Sequence, residues 1–136
     1  MSLSINEREV EGIWIFDLDG RLVAGPDEVA LRERFTNLDA SGRKNVILNL
    51  KKVDYIDSTG LGTLVVSHSR CKRAGGALKL VNLSKRSAEL LILTKLSTIF
   101  DMFSDEQAAI NSFFPEREVK PFDILEFVRG HREEKD

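Results

Sequence analysis

The run Val46-Ile47-Leu48-Asn49-Leu50 constrains this chain more than any other stretch. It is almost unbroken in its apolarity, whereas a strand with one wet face alternates apolar and polar residues. Such a strand belongs in the middle of a sheet, covered on both faces. The flanking sequence supplies helices to cover it. Upstream, Gly25-Pro26-Asp27-Glu28 starts a helix, with Pro26 supplying a helical φ and two carboxylates meeting the positive helix end. Leu31, Phe35 and Leu38 follow at i, i+4 and i+7 as a core-facing stripe, and Ser41-Gly42-Arg43-Lys44 ends the helix. Downstream of Asp57, Leu61, Leu64, Val65, His68 and Cys71 share one helical face until Gly75-Gly76.

The remaining elements fit around that centre. Ile13-Trp14-Ile15-Phe16-Asp17-Leu18, bounded by Gly12 and Gly20, reads as a strand, and residues 3–8 pair with it through a turn near Glu11-Gly12. Ala77-Leu78-Lys79-Leu80-Val81 is a short alternating strand. Ser84 caps a helix that turns Ala88, Leu90 and Leu91 inward. Thr98-Ile99-Phe100-Asp101-Met102-Phe103 reads as the last strand. Ser104-Asp105-Glu106-Gln107 has capping-box spacing, with Gln107 reaching back to Ser104, and that helix ends before Pro115. The order β-β-α-β-α-β-α-β-α predicts an α/β fold: a small mixed, partly parallel sheet with about four helices, packed mainly on one side. Residues 1–114 form this domain and residues 115–136 an extension. Within the extension, Phe122, Leu125 and Val128 mark a short amphipathic helix that folds back on the domain, because an exposed apolar strip is costly. From His131 onward the chain is charged and expected to fray.

Composition narrows the function classes. At 136 residues, with 42% hydrophobic residues, the chain suits one folded domain. A net charge of −2 and no basic stripe argue against nucleic acid as a partner. The single cysteine, Cys71, excludes an intramolecular disulfide and a Cys-based metal framework. No apolar run reaches the about 18 residues of a membrane span, and no signal-peptide run opens the chain. A cytoplasmic, membrane-free protein is the expectation. The P-loop pattern is missing too, so ATP binding by this chain is not expected.

Asp57-Ser58-Thr59-Gly60-Leu61-Gly62 stands out because it carries two glycines in one first helical turn. Each glycine costs about 1 kcal/mol relative to alanine in a helix interior. The pair therefore predicts a close backbone approach. Ser58 reads as a helix cap, and the free N–H groups of a helix N-terminus would also favour an added phosphate. A phosphate there would set about −1.5 to −2 charges beside Asp57. Asp, Ser and Thr are also ordinary capping residues, and the turn alone does not name phosphorylation.

The wider pattern resembles the anti-sigma-factor antagonists, the bacterial regulatory branch of the STAS domain family, over about residues 3–114. The matching stretches are Asp17-Leu18-Asp19-Gly20-Arg21-Leu22, Val46–Leu50, Val53-Asp54-Tyr55-Ile56-Asp57-Ser58-Thr59-Gly60-Leu61-Gly62-Thr63-Leu64 and Ala74–Asn82. The resemblance implies a small mixed sheet with helices, and a switch rather than a catalyst, without a cofactor. It implies Ser58 as phosphoacceptor, and Asp57, Ser58, Thr59, Gly60, Leu61, Gly62, Asp19 and Arg21 as the partner-binding set. The unphosphorylated form would bind an anti-sigma factor, usually itself a serine kinase, and so release a sigma factor. Phosphorylation would end that binding and a metal-dependent phosphatase would restore it. The sequence departs from many members at Val23, where they carry aspartate, and at Lys95, where they often carry glycine.

Rival readings come from the residues themselves. Phe16-Asp17-Leu18-Asp19-Gly20-Arg21-Leu22 also resembles the first motif of haloacid-dehalogenase phosphatases, with Asp17 as nucleophile and Asp19 as acid/base. Arg21 stands where that family has a small hydroxyl or β-branched residue, and no downstream acidic motif completes a magnesium site. A serine hydrolase fails on distance: His68 lies ten residues from Ser58 on one helix, about 15 Å away. No Gly-x-Ser-x-Gly elbow exists. A non-switching scaffold or adaptor is the third class, since some STAS domains serve in signalling assemblies.

Overall fold

A computed structural model describes residues 3–135, with the side chains of Asp39 and residues 131–135 outside the description. Strand β1 (Ser4–Val10) turns back into β2 (Ile13–Leu22) through Glu11 and Gly12, both at positive φ. Helix α1 (Pro26–Ser41), strand β3 (Asn45–Ile56), helix α2 (Ser58–Arg73) and strand β4 (Ala77–Val81) follow. Helix α3 (Lys85–Leu93), a 3₁₀ turn (Leu96–Thr98), strand β5 (Asp101–Phe103), helix α4 (Glu106–Asn111) and helix α5 (Ile124–Lys135) complete the chain. The five strands lie in the sequential order β1-β2-β3-β4-β5. Only β1 is antiparallel; β2, β3, β4 and β5 run parallel, as crossover helices require.

β3 is the central strand that the apolar run predicts. Val46, Ile47, Leu48 and Leu50 are all fully buried. On one face, Leu48 and Leu50 join Phe16 and Leu18 of β2, Leu31, Phe35 and Leu38 of α1, Leu61, Leu64 and Cys71 of α2, and Ala88 and Leu91 of α3. The i, i+4, i+7 stripe of α1 is therefore the packed face. On the other side of the sheet Ala109 and Ile110 of α4 meet Ile13, Ile15, Ile47 and Val81, with Phe113 and Phe114 packed against them. The rest of that side is polar, and its residues line an open cavity of about 480 Å³ that includes Arg8, Asp17, Asp19 and Asn49.

Two local expectations are corrected. The last strand starts at Asp101, not Thr98. Lys95 adopts a left-handed φ of 63° that ends α3, and the chain spends Leu96–Thr98 in a 3₁₀ turn that drops Phe100 into the core. The capping box at Ser104 does not form. Asp105 is the cap instead, accepting from the Ala108 N–H at 2.8 Å, while Gln107 bonds Asn111. Beyond its apolar run β3 continues to Ile56, and register shifts against β2 accommodate its more polar second half.

The chain after Pro115 returns to the domain through α5, which packs on α3. Val128 is buried in the main core, with Ile124 and Phe127 packed against it. Leu125, which the sequence placed on that stripe, instead faces solvent. The fraying expected from His131 concerns side chains outside the description.

Candidate functional site

Parallel pairing of β2 with β3 brings Leu22 beside Ile56, so the two strand ends meet where α2 begins. The Asp57 N–H donates to the Leu22 carbonyl at 3.2 Å. Asp57 has extended backbone and is the N-cap of α2; its Oδ1 accepts from the Gly60 N–H at 2.8 Å. Its Oδ2 accepts from the Ala24 N–H at 2.9 Å, tying the turn to the loop before α1. The Ala24 N–H, then the Gly60 N–H, stabilise the charged form and hold the Asp57 carboxyl below the usual carboxylate range.

This corrects the role expected for Ser58. Asp57 supplies the cap, and Ser58 is the first helical residue, exposed, with its hydroxyl outside the capping bonds. Thr59 and Gly62 are exposed beside it. Gly60 and Leu61 are buried within the turn. A Cβ at Gly60 would stand 2.3 Å from the Leu22 carbonyl oxygen, which is the close approach the glycine pair predicts. Gly62 has nothing within 4 Å of the corresponding position. Of the two glycines, only one is required by packing.

One turn further along α2, the buried Thr63 hydroxyl donates to Glu28 Oε1 at 2.7 Å. Glu28 also pairs with Arg32 at 3.1 Å within α1. The bond holds α1 against α2 directly beneath the exposed residues. No signal in the sequence paired these two positions.

Arg21 is exposed on β2 and is the register partner of Tyr55, so it lies near the turn. Asp19 does not. It lines the cavity on the polar side of the sheet with Asp17, Lys51 and Lys52. Asp17 is clamped there: the Arg8 guanidinium donates to both its oxygens, at 2.6 and 3.0 Å. Asn49 donates to it at 2.8 Å, and Asn6 at 3.3 Å. Arg8 above all, then Asn49 and Asn6, hold the Asp17 carboxyl down to about 2, against the cost of its burial. Arg8 reaches on to Glu106 of α4. A carboxylate with both oxygens engaged by a guanidinium is a poor nucleophile, which removes the support for the phosphatase reading at Asp17 and Asp19. No group of His, Cys, Asp and Glu suited to a metal ion occurs among the described residues. None of the described helices is long and apolar enough to cross a membrane.

His68 lies on the packed side of α2, where its ring meets Phe100 edge-on at 5.4 Å between centroids. Cys71 is buried in the core. Neither belongs to the surface around Ser58.

Comparison with known proteins accords with this geometry. The family model of the STAS domain matches residues 4–109. The anti-sigma-B factor antagonist of Bacillus subtilis is 39% identical over 80 residues, 59% of this chain and 72% of that protein. Among solved structures, an anti-sigma factor antagonist from Mycobacterium paratuberculosis superposes with a TM-score of 0.71 at 17% identity, covering 82% of this chain and 94% of that one. SpoIIAA from Bacillus, in its phosphorylated form, superposes with a TM-score of 0.64 at 16% identity, covering 80% and 99%. The two structural likenesses carry the fold. With a family match that spans most of its length and a bacterial anti-sigma factor antagonist among its relatives, this chain belongs to the STAS domain family.

Proposed function

We propose that the chain is a protein-binding switch and not an enzyme. In its unphosphorylated form it binds an anti-sigma factor that is also a serine kinase, and so frees a sigma factor. The kinase moves the γ-phosphoryl group of ATP to Ser58 Oγ. The new O–P bond forms as the bond to the β-phosphate oxygen breaks, ADP leaves and the hydroxyl proton passes to a base on the kinase. The added charge beside Asp57 ends the complex. A metal-dependent phosphatase hydrolyses the ester and resets the switch. The setting proposed is the cytoplasm, with residues 1–114 as the switching domain and 115–136 as an extension.

One observation carries this reading. Asp57 takes the capping bonds, which leaves the Ser58 hydroxyl exposed at the positive end of a 16-residue helix. The identity to an anti-sigma-B factor antagonist supports the partner class. Ser58, Thr59 and Gly62 form the exposed part of the proposed contact surface, with Arg21 at its margin. Incubation of the chain with its partner kinase and ATP, followed by peptide mass spectrometry, tests the proposal. Phosphate on Ser58 and not Thr59 is expected. Phosphate only elsewhere, with Ser58→Ala still regulated normally, would overturn it.

A further inference from the structure

Ser58 shares a cavity of about 300 Å³ with Tyr55, Asp57, Arg86 and Glu89. Arg86 reaches it from the first turn of α3 and is the one cation in the cavity lining. Its guanidinium carbon stands 5.2 Å from the centroid of the Tyr55 ring. Among the described residues no carboxylate forms an ion pair with it; Glu89 pairs with Lys85 at 3.9 Å. A cation in the first turn of a helix lies at the positive end of the macrodipole, and α3 has no acidic residue in that turn to offset it. Arg86 is thus an exposed, uncompensated charge resting on a ring face, a weaker partner than a phosphate dianion.

We propose that Arg86 reads the phosphate on Ser58 from within the chain. The guanidinium leaves the Tyr55 ring and pairs with the phosphate oxygens. This rests on Ser58 being the phosphoacceptor, with the transfer from ATP as written above. The other charged groups in the cavity lining, Asp57 and Glu89, both repel the new dianion, so Arg86 supplies its compensation there. In the unphosphorylated chain Arg86 over the Tyr55 ring forms a platform beside Ser58. Phosphorylation takes that platform apart, so the switch alters the shape of the contact surface as well as its charge.

The test uses the full chain with phosphoserine installed at position 58 during translation, followed by ³¹P NMR over a pH titration. The second phosphate ionisation is expected below its ordinary value of about 6. Arg86→Gln should raise the midpoint by about half a unit, the screened end of what an arginine does to a neighbouring acid. Arg86→Lys should restore most of the difference. Tyr55 is the only tyrosine, so its ring protons report the guanidinium directly. They should shift on phosphorylation in the unsubstituted chain and not in Arg86→Gln. An unchanged midpoint in Arg86→Gln would overturn the proposal. Because the phosphate is built in, failure of the kinase assay would remove the phosphorylation reading without touching this titration.

Discussion

The Gly60 backbone lies against Leu22 so closely that a Cβ there would meet the Leu22 carbonyl oxygen at 2.3 Å. This contact sets the entry of α2 against the end of β2, and with it the direction in which Ser58 faces. Gly60→Ala must push α2 away from β2 and should cost about 1–3 kcal/mol, as other forced insertions into packed sites do. Gly62→Ala should be neutral or stabilising by up to about 1 kcal/mol, because it adds a helix-favouring residue in open space. Urea denaturation of the two variants checks the difference, and equal losses would contradict it.

Capping and signalling should separate by mutation. Asp57→Ala removes the side chain that accepts from Gly60 and Ala24, and is expected to cost about 0.5–2 kcal/mol. Ser58→Ala should leave the melting temperature essentially unchanged, since its hydroxyl makes no cap. Thermal unfolding of both variants, compared at one pH, gives the answer.

Charge at position 58 should weaken the partner complex. Ser58→Asp is expected to lower affinity for the anti-sigma factor about tenfold, or about 1.4 kcal/mol. Isothermal calorimetry measures this, and equal affinities would remove the electrostatic part of the switch.

The clamp on Asp17 predicts a specific acid limb. Its pKa is lowered from 3.8 to about 2 by folding, so its contribution is complete above the unfolded value. That contribution is lost as pH falls through 4 towards about 2. After screening of the half-exposed Arg8, the loss should amount to about 1–2 kcal/mol. Asp17→Asn should lower stability at pH 7 and flatten the stability curve between those values. A curve parallel to that of the unsubstituted chain would show that the clamp contributes nothing.

Val128 ties the extension to the domain. Deletion of residues 116–136 uncovers the core beneath it and should destabilise the domain by about 2–3 kcal/mol, read as a lower melting temperature. An unchanged melting temperature would mean that α5 is not held.

Where the sequence spoke clearly, it did so through periodicity. Val46–Leu50 and the stripe Leu31, Phe35, Leu38 each carry their own pattern, and both occupy the core. The choice between Asp57 and Ser58 as cap was not legible, because both residue types cap helices and the decision lies in the Ala24 N–H, 33 residues away. The glycine pair announced one close approach without saying which residue makes it. The Asp17 clamp joins β1, β2, β3 and α4 across the sheet, and no local pattern encodes such a meeting. Arg86 did leave a trace: two adjacent basic residues, Lys85 and Arg86, open a helix where acidic ones are favoured.

The sequential strand order has a consequence for how the molecule is made. In a sheet ordered β1-β2-β3-β4-β5, every strand pairs with the one synthesised just before it. No edge waits for a distant segment: β1 closes on β2 through a tight turn, and each later strand closes across one helical crossover. The chain can therefore assemble as it leaves the ribosome, one strand and helix at a time, with each newly exposed growing edge soon covered by the next strand. The serine turn then takes shape once β2 and β3 have paired, before the last third of the protein exists.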